Sequence, residues 1–388
     1  MTATAVVRPV ATAADLERFI ALPYELLKGD PMWVPPLRMD VRTMLSRTKN
    51  PFFEHAEAEY FTAERPATSA PVGPVYRRDG QKWEVVGRIA AIHNRLHNEF
   101  HNDTVGFFGF FDCLDNADTA KALFQAAAAW LKARGLTVMR GPASFSTNDE
   151  CGLLVQGFDT PPTILNPHNP RYYVGLVEGA GFIKAKDLIQ FQSTTAQMPE
   201  RLIKGARLIA ERKKITLRPL NMKKFDEEVE LIKKVYNAAW ERNWGFIPMT
   251  DHEIDHLAKQ LKPVVVPDLV VFCERNGETI GFAAALPDMN VALKTNPSGR
   301  LFPGIVKVLW AARKINRLRI LLLGLVKEYR MTGADALMYQ WIWDKGTAKG
   351  FNWGEGGWLL EDNTAIINGL THIGFGPYKT LRLYDRPL

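Results

Sequence analysis

Apolar positions along the chain follow two periods, and the alternation between them divides the sequence into helices and strands. Over residues 12–30 Leu16, Phe19, Ile20 and Leu27 recur at helical spacing; Thr12 or Ala13 opens the segment and Pro31, Pro35 and Pro36 close it. "AEYFTAE" and "WEVVGRIAAI" predict neighbouring strands, joined over 65–82 by a long exposed connection rich in Pro and Arg. "VGFFGFFDC" reads as a buried strand, 117–134 as an Ala-rich helix closed by Gly135, and "LTVMRGP" as the next strand. The second half repeats the order: helices over 222–243 and 250–260, strands at 269–274 and 279–287, and a basic helix at 302–315. A strand at 319–326, a helix at 333–350, a strand at 356–360, a helix from Asn363 to His372 and a last strand follow. The fold class expected is α/β, an α+β arrangement around one mixed sheet per unit.

Two echoes indicate a duplicated unit. "EVVGRIAAIHN" around Gly87 and "ETIGFAAALPDMN" around Gly281 both read as a strand entering a turn, 194 residues apart (87 to 281). Phe182, Lys186, Leu188 and Phe191 answer Phe375, Lys379, Leu381 and Tyr384, each pair 193 residues apart (182 to 375). Two pairs in one register, each separated by close to half of the 388 residues, predict two copies of one domain, at 1–200 and 201–388.

Composition narrows the class. With 46% hydrophobic and 23% charged residues the chain can bury a real core. Cys113, Cys151 and Cys273 are scattered, which suggests neither a disulfide framework nor a zinc site, and fits a reducing cytoplasm. No secretory leader is visible, and no segment reaches the roughly 18 apolar residues of a spanning helix. The net charge of +7 suits an anionic partner: nucleic acid, an acidic membrane surface or a phosphorylated cofactor. No helix-turn-helix, zinc or aromatic RNA-binding signature accompanies that charge, so no nucleic acid is expected, although a non-catalytic nucleic-acid-binding or regulatory protein stays as an alternative.

The segment "RLFPGIVKVLWAARKINRLR", 300–319, carries six basic residues and no acid, with Phe302, Ile305, Val306, Leu309 and Trp310 at helical spacing. It reads either as a helix lying at an anionic membrane surface or as a core helix with a solvated basic face.

"LLLGLVKEYRMTGADALM" places Arg330, Gly333 and Ala334 between a strand and a helix, and "EDNTAIINGLTHIGF" places Asn363 before a helix and a Gly-Phe turn. Small residues there let backbone N–H groups at a helix start face a pyrophosphate, and the helix dipole favours the anion. The second half thereby resembles the GNAT superfamily of acyl-CoA-dependent N-acyltransferases, with Asp335 departing from its usual small residue. The first half offers Asp112, Asp115 and Asp118 and no glycine at the corresponding loop, so only the second copy is expected to hold coenzyme A.

Across most of the chain, "NPFFEHAEAEYF", "GPASFSTNDECGLLVQGF", "NPRYY", "AWERNWGFIP" and "LPDMN" resemble a bacterial family of tandem GNAT-like proteins that includes acyl-CoA-dependent ceramide synthases. The resemblance implies transfer of a long-chain acyl group from coenzyme A to a sphingoid-base amine, with no metal. A small-molecule N-acetyltransferase is the enzymatic alternative. Backbone N–H groups near Leu325 and Val326 would hold the pantetheine and the oxyanion, and Arg330, Gly333, Ala334 and Asn363 would contact the nucleotide end, Asn363 having helix capping as its other reading. Asp288 and Glu150 are the candidate bases and Tyr378 the candidate acid; a turn, an exposed loop and edge packing are their respective structural readings. Trp240, Trp244, Phe246 and Asn290 would line the substrate pocket, against a plain core reading for the aromatics. His55, His93 and Cys151 are taken as structural. The expected location is cytoplasmic, with peripheral contact at the inner membrane as a further reading.

Overall fold

The computed structural model describes residues 5–194, 199–240, 244–330 and 332–388, apart from the side chains of 238–240. Two compact units emerge: unit 1 takes 1–188, 292–310 and 379–388, and unit 2 takes 189–291 and 311–378. Each unit therefore draws on chain from both sides of the division anticipated at residue 200.

In chain order, unit 1 begins with β1 (Val6–Pro9), α1 (Ala13–Leu26), α2 (Arg38–Met44), β2 (Ala56–Pro66), β3 (Val75–Arg78) and β4 (Gln81–Asn94). It continues through α3 (Arg95–His101), β5 (Val105–Cys113), α4 (Ala117–Lys132), β6 (Val138–Gly141), β7 (Ala143–Ser144) and β8 (Glu150–Cys151). Then come β9 (Leu153–Gln156), α5 (Tyr172–Gly179) and β10 (Ile183–Ser193), whose last residues enter unit 2. The order β1-β2-β4-β5-β6 is antiparallel except for the parallel β5–β6 pair. Thr12 and Asp15 form a reciprocal capping box that starts α1, Asp15 N–H donating to the Thr12 hydroxyl at 3.1 Å and Thr12 N–H to the Asp15 carboxylate at 2.8 Å. The core gathers Phe108, Phe111, Phe124 and Phe182, with Phe111 stacked on Phe124 at 4.7 Å. Within 65–82, read from sequence as a loop, β3 pairs with β4. Its four residues are exposed or half-buried and give no apolar run to detect.

The remaining chain holds α6 (Glu200–Lys213), β11 (Ile215–Pro219), α7 (Phe225–Trp240), α8 (Asp251–Leu261), β12 (Val270–Arg275) and β13 (Glu278–Pro287). After α9 (Asn290–Leu293) and α10 (Gly304–Ala312) come β14 (Arg317–Leu325), α11 (Ala334–Ala348), β15 (Trp353–Leu360), α12 (Thr364–His372) and β16 (Gly376–Pro387). Unit 2 arranges its strands β11-β12-β13-β14-β15, again antiparallel except for a parallel last pair, β14–β15. The repeat is thus visible in the ladders: Gly87 sits opposite Cys113 and Gly281 opposite Leu325, and both β4 and β13 slip register shortly afterwards. Beyond residue 378, β16 belongs to unit 1 and pairs with β6 and β9. The sequence pattern did not announce α6 or β11. The buried face of α6 is Ile203, Ala206 and Ala210, and a face built mainly of alanine gives little periodic contrast.

Candidate functional site

β14 and β15 pair only from Arg317 opposite Trp353 to Ile320 opposite Gly356. Past that point β14 stays on β13 as far as Leu325 while β15 runs to Leu360, so the unit 2 sheet opens between them. Gly357 is the first residue past the pairing; its φ is +132° and a Cβ there would lie 3.1 Å from the Ile189 carbonyl oxygen, which requires glycine. On the other lip, Val326 N–H donates to the Ile280 carbonyl at 2.9 Å. That commitment removes Val326 from the expected oxyanion donors. Because an antiparallel ladder alternates its hydrogen-bonding direction, the N–H groups of Leu325 and Leu323 then face the opening.

At the far end of β14 the loop expected to hold a pyrophosphate makes a short turn over Lys327–Tyr329 and closes with Thr332, whose hydroxyl donates to the Tyr329 carbonyl at 2.6 Å. Gly333 caps α11 in the left-handed region, φ +77°, with no side-chain hydrogen bond to the helix start. A Cβ at Gly333 would approach the Ala206 Cβ of α6 to 2.9 Å, so glycine is required twice over. The N-cap glycine thus offers no side chain to the N-terminal amides of α11, with Ala334 buried beneath and Asp335 exposed. Arg330 is exposed, its Nε 3.4 Å from the Leu325 carbonyl. Asn363 stands at the N-cap of α12 without a side-chain capping bond, so capping does not account for it.

Unit 1 differs at the equivalent helix. Asn116 caps α4 by accepting from Thr119 N–H at 2.8 Å, and Asp118 occupies the first turn. Asp112 is buried against Arg88 at 2.7 Å and accepts from the Tyr173 hydroxyl at 3.1 Å; burial pushes its carboxyl upward more than Arg88 lowers it. Asp112 is thus committed to packing contacts, and the cap of α4 is supplied by Asn116.

A buried polar cluster lies at the paired end of β14 and β15. The parallel register sets Arg319 opposite Glu355, with Nε and Oε1 3.3 Å apart and only 3% and 0% of the residues exposed. Arg319 also donates to the Gly357 carbonyl at 3.1 Å, and the Tyr378 hydroxyl donates to the second Glu355 oxygen. Burial, reinforced by the Glu355 anion, holds the Tyr378 hydroxyl well above its usual range, so it stays protonated. Tyr378 meets Trp353 edge-on at 6.0 Å, and Arg317 stacks over Trp353 at 3.8 Å. A cavity of about 390 Å³ lies against these groups, lined by Thr194, Asn316, Arg317, Asn352 and Trp353. Gln190 on β10 is fully buried in unit 2 with neither amide atom hydrogen-bonded among the described residues.

Of the residues named from sequence, Asp288 and Tyr378 reach this cluster, Asp288 through Arg317 at 3.6 Å. Asp288 is 1% exposed, accepts from Asn290 N–H at 3.3 Å and donates its own N–H to the Arg317 carbonyl, so it also builds the turn that was its structural reading. Glu150 is exposed on β8 in unit 1. Phe246 is buried beside Tyr236 at 6.2 Å, as core packing requires, and Trp244 is half-buried; the Trp240 side chain lies outside the described residues. Arg319, Glu355 and Gln190 were missed. The signal was present: a lone acid in "WGEGGWLL" and a second arginine inside "RLRILLLGL" are charges within strands that read as buried.

No family model matches the chain. It is 37% identical to the bacterial ceramide synthase of Caulobacter vibrioides (strain NA1000 / CB15N) over 396 residues, spanning 98% of this chain and 97% of that protein. The chain belongs to that enzyme's family of tandem GNAT-like acyltransferases. Protein YghO of Escherichia coli (strain K12) is 34% identical across 98% of this chain and 95% of its own. Among solved structures, a tandem GNAT protein from the clavulanic acid biosynthesis pathway superposes with a TM-score of 0.54 at 11% identity, covering 99% of this chain and 98% of that one. A GCN5-related N-acetyltransferase from Sphaerobacter thermophilus gives 0.52 at 12% identity, covering 100% and 96%. These similarities establish the tandem GNAT fold of this family member. Among the described residues no cluster of three metal-ligating side chains occurs, and no helix is long and apolar enough to cross a membrane.

Proposed function

We propose that this protein is an acyl-CoA-dependent N-acyltransferase that joins a long-chain fatty acyl group to the amine of a sphingoid base. The observation that carries the reading is the open seam of unit 2, with glycine-capped α11 at one end of β14 and the Arg319–Glu355–Tyr378 cluster at the other. Six residues separate Leu325 from Arg319, roughly 20 Å of strand, which suits an extended substrate laid along the seam. The α11 amides with Gly333 and Ala334, together with Arg330 and Asn363, would take the nucleotide end of coenzyme A, and the Leu325 N–H would face the pantetheine.

A sphingoid amine arrives as an ammonium and must lose one proton before it attacks the thioester carbonyl. Glu355 is positioned to accept that proton through Tyr378: the Tyr378 oxygen takes it from nitrogen while its own hydroxyl proton passes to Glu355. Arg319 faces Glu355 across the paired strands at 3.3 Å. Attack forms the C–N bond and places charge on the carbonyl oxygen, where the outward N–H of Leu323 or Leu325 is the available donor. Collapse breaks the C–S bond, and the second nitrogen proton goes to the thiolate. Asp288 orients Arg317 at the cavity rim, and Asn290 follows in the same turn. Of the aromatics named from sequence, half-buried Trp244 would serve as an apolar wall for the lipid chains. Unit 1, with its capped α4, is assigned no cofactor. The reaction takes place on the cytoplasmic side, in peripheral contact with the membrane that holds its lipid substrates.

The test is incubation of the purified protein with sphinganine and palmitoyl-CoA, read by mass for the amide and by thiol release. Amide formation with a preference for long-chain over acetyl-CoA is expected. Equal or better use of acetyl-CoA would replace the lipid reading with a small-molecule N-acetyltransferase.

A further inference from the structure

We propose that α10 and the turn before it form a docking face for an anionic phospholipid bilayer. Phe302, Val306, Leu309 and Trp310 are 72%, 68%, 61% and 61% exposed, and among the described large apolar residues only Ile183 matches them. On the other side of the same helix Gly304, Val308 and Ala311 are buried. The helix is therefore apolar on both its inner and outer faces, which a solvated surface helix is not. The sequence alternative of a core helix with a solvated basic face does not describe it, because the outward side is the apolar stripe.

The outward face is held in place. Arg38 N–H donates to the Gly299 carbonyl at 2.8 Å and Arg38 Nε to the Ser298 carbonyl at 2.9 Å. Asn296, 3% exposed, donates to the Arg300 carbonyl at 2.8 Å, and its side chain fills the space beside Gly304. Anchored at this base, α10 cannot readily roll its aromatic and aliphatic side chains inward.

Charge selects the occupant. Arg300, Lys307, Arg313 and Lys314 are exposed in and around the stripe, and 300–319 contains no acid. A second copy docked by the same face would set these cations against themselves, whereas an anionic bilayer offers phosphates to the cations and acyl chains to the stripe. Trp310 suits the headgroup level, and the basic residues reach the phosphates from the rim.

The experiment is flotation of the full chain with vesicles of phosphatidylcholine alone or mixed equally with phosphatidylglycerol, at low and high salt. Binding is expected on the anionic vesicles, weakened by salt. The Leu309→Glu/Trp310→Glu double variant should lose at least tenfold in partition, and Lys307→Glu/Lys314→Glu should lose the preference for anionic lipid. Circular dichroism and thiol release with short-chain, water-soluble substrates should match the parent for both variants. Absence of flotation with anionic vesicles, undiminished flotation of the Leu309/Trp310 variant, or a dimer dissolved by that variant without vesicle binding would overturn the proposal. Flotation needs no acyl transfer, so its failure is separable from failure of the enzymatic reading.

Discussion

Replacing Glu355 by Gln tests the proposed proton path most directly. The side chain keeps its volume but loses the charge that Arg319 faces at 3.3 Å, both residues being essentially buried. Leaving a buried cation without its anion costs about 3–5 kcal/mol. Arg319 retains its bond to the Gly357 carbonyl, so the lower end of that range is expected. For a unit of 150–250 residues, where each kcal/mol moves the melting point by about 2–4 °C, the predicted drop is roughly 6–12 °C. Loss of the proton acceptor should lower kcat by about 10²–10⁴. The assay is thiol release from palmitoyl-CoA with sphinganine, run below the variant's melting point and across pH. If Glu355 only braces the sheet, Arg319→Met/Glu355→Leu should restore stability and rate together; if it accepts the proton, stability recovers and the rate does not. A Glu355→Gln variant that melts low but turns over within threefold of the parent refutes the path.

Other outcomes follow from the same geometry. Gly333→Val must force a β-branched residue to φ +77° against Ala206, and should raise KM for acyl-CoA at least tenfold, with isothermal calorimetry showing weaker coenzyme A binding. Asp112→Asn removes the anion beside buried Arg88 in unit 1 and should destabilise by about 3–5 kcal/mol in urea unfolding, while KM for acyl-CoA stays unchanged. His97 is 1% exposed, and burial depresses its imidazole further than Asp103, 3.3 Å away, raises it. Its contribution is full above the unfolded value of about 6.5 and is lost as pH falls below it, because the unfolded chain binds a proton that the fold refuses. Melts between pH 7 and 5 should show that loss, at up to about 1.4 kcal/mol per pH unit, and His97→Gln should flatten it.

What the sequence determined by itself was the repeat and most of its elements. Gly87 and Gly281 landed at equivalent ladder positions, each where a neighbour approaches closely: a Cβ would lie 2.7 Å from Leu123 Cδ1 of α4 at the first and 2.7 Å from the Gly324 carbonyl oxygen of β14 at the second. The α11 loop was legible because Gly333 answers a backbone angle. Glu355 and Arg319 were not legible as a pair, since 36 residues separate them (319 to 355) and only the parallel register of β14 and β15 makes them neighbours. The stripe on α10 could be read as core or interface, because periodicity tells which residues share a face and not which way that face turns. Tertiary structure decided that direction, by anchoring 296–300 to Arg38 and leaving the larger side chains outward. The division of the chain was likewise a tertiary matter, since hydrogen-bonded partners of β16 are chosen by the sheet that closes around it and not by distance along the sequence.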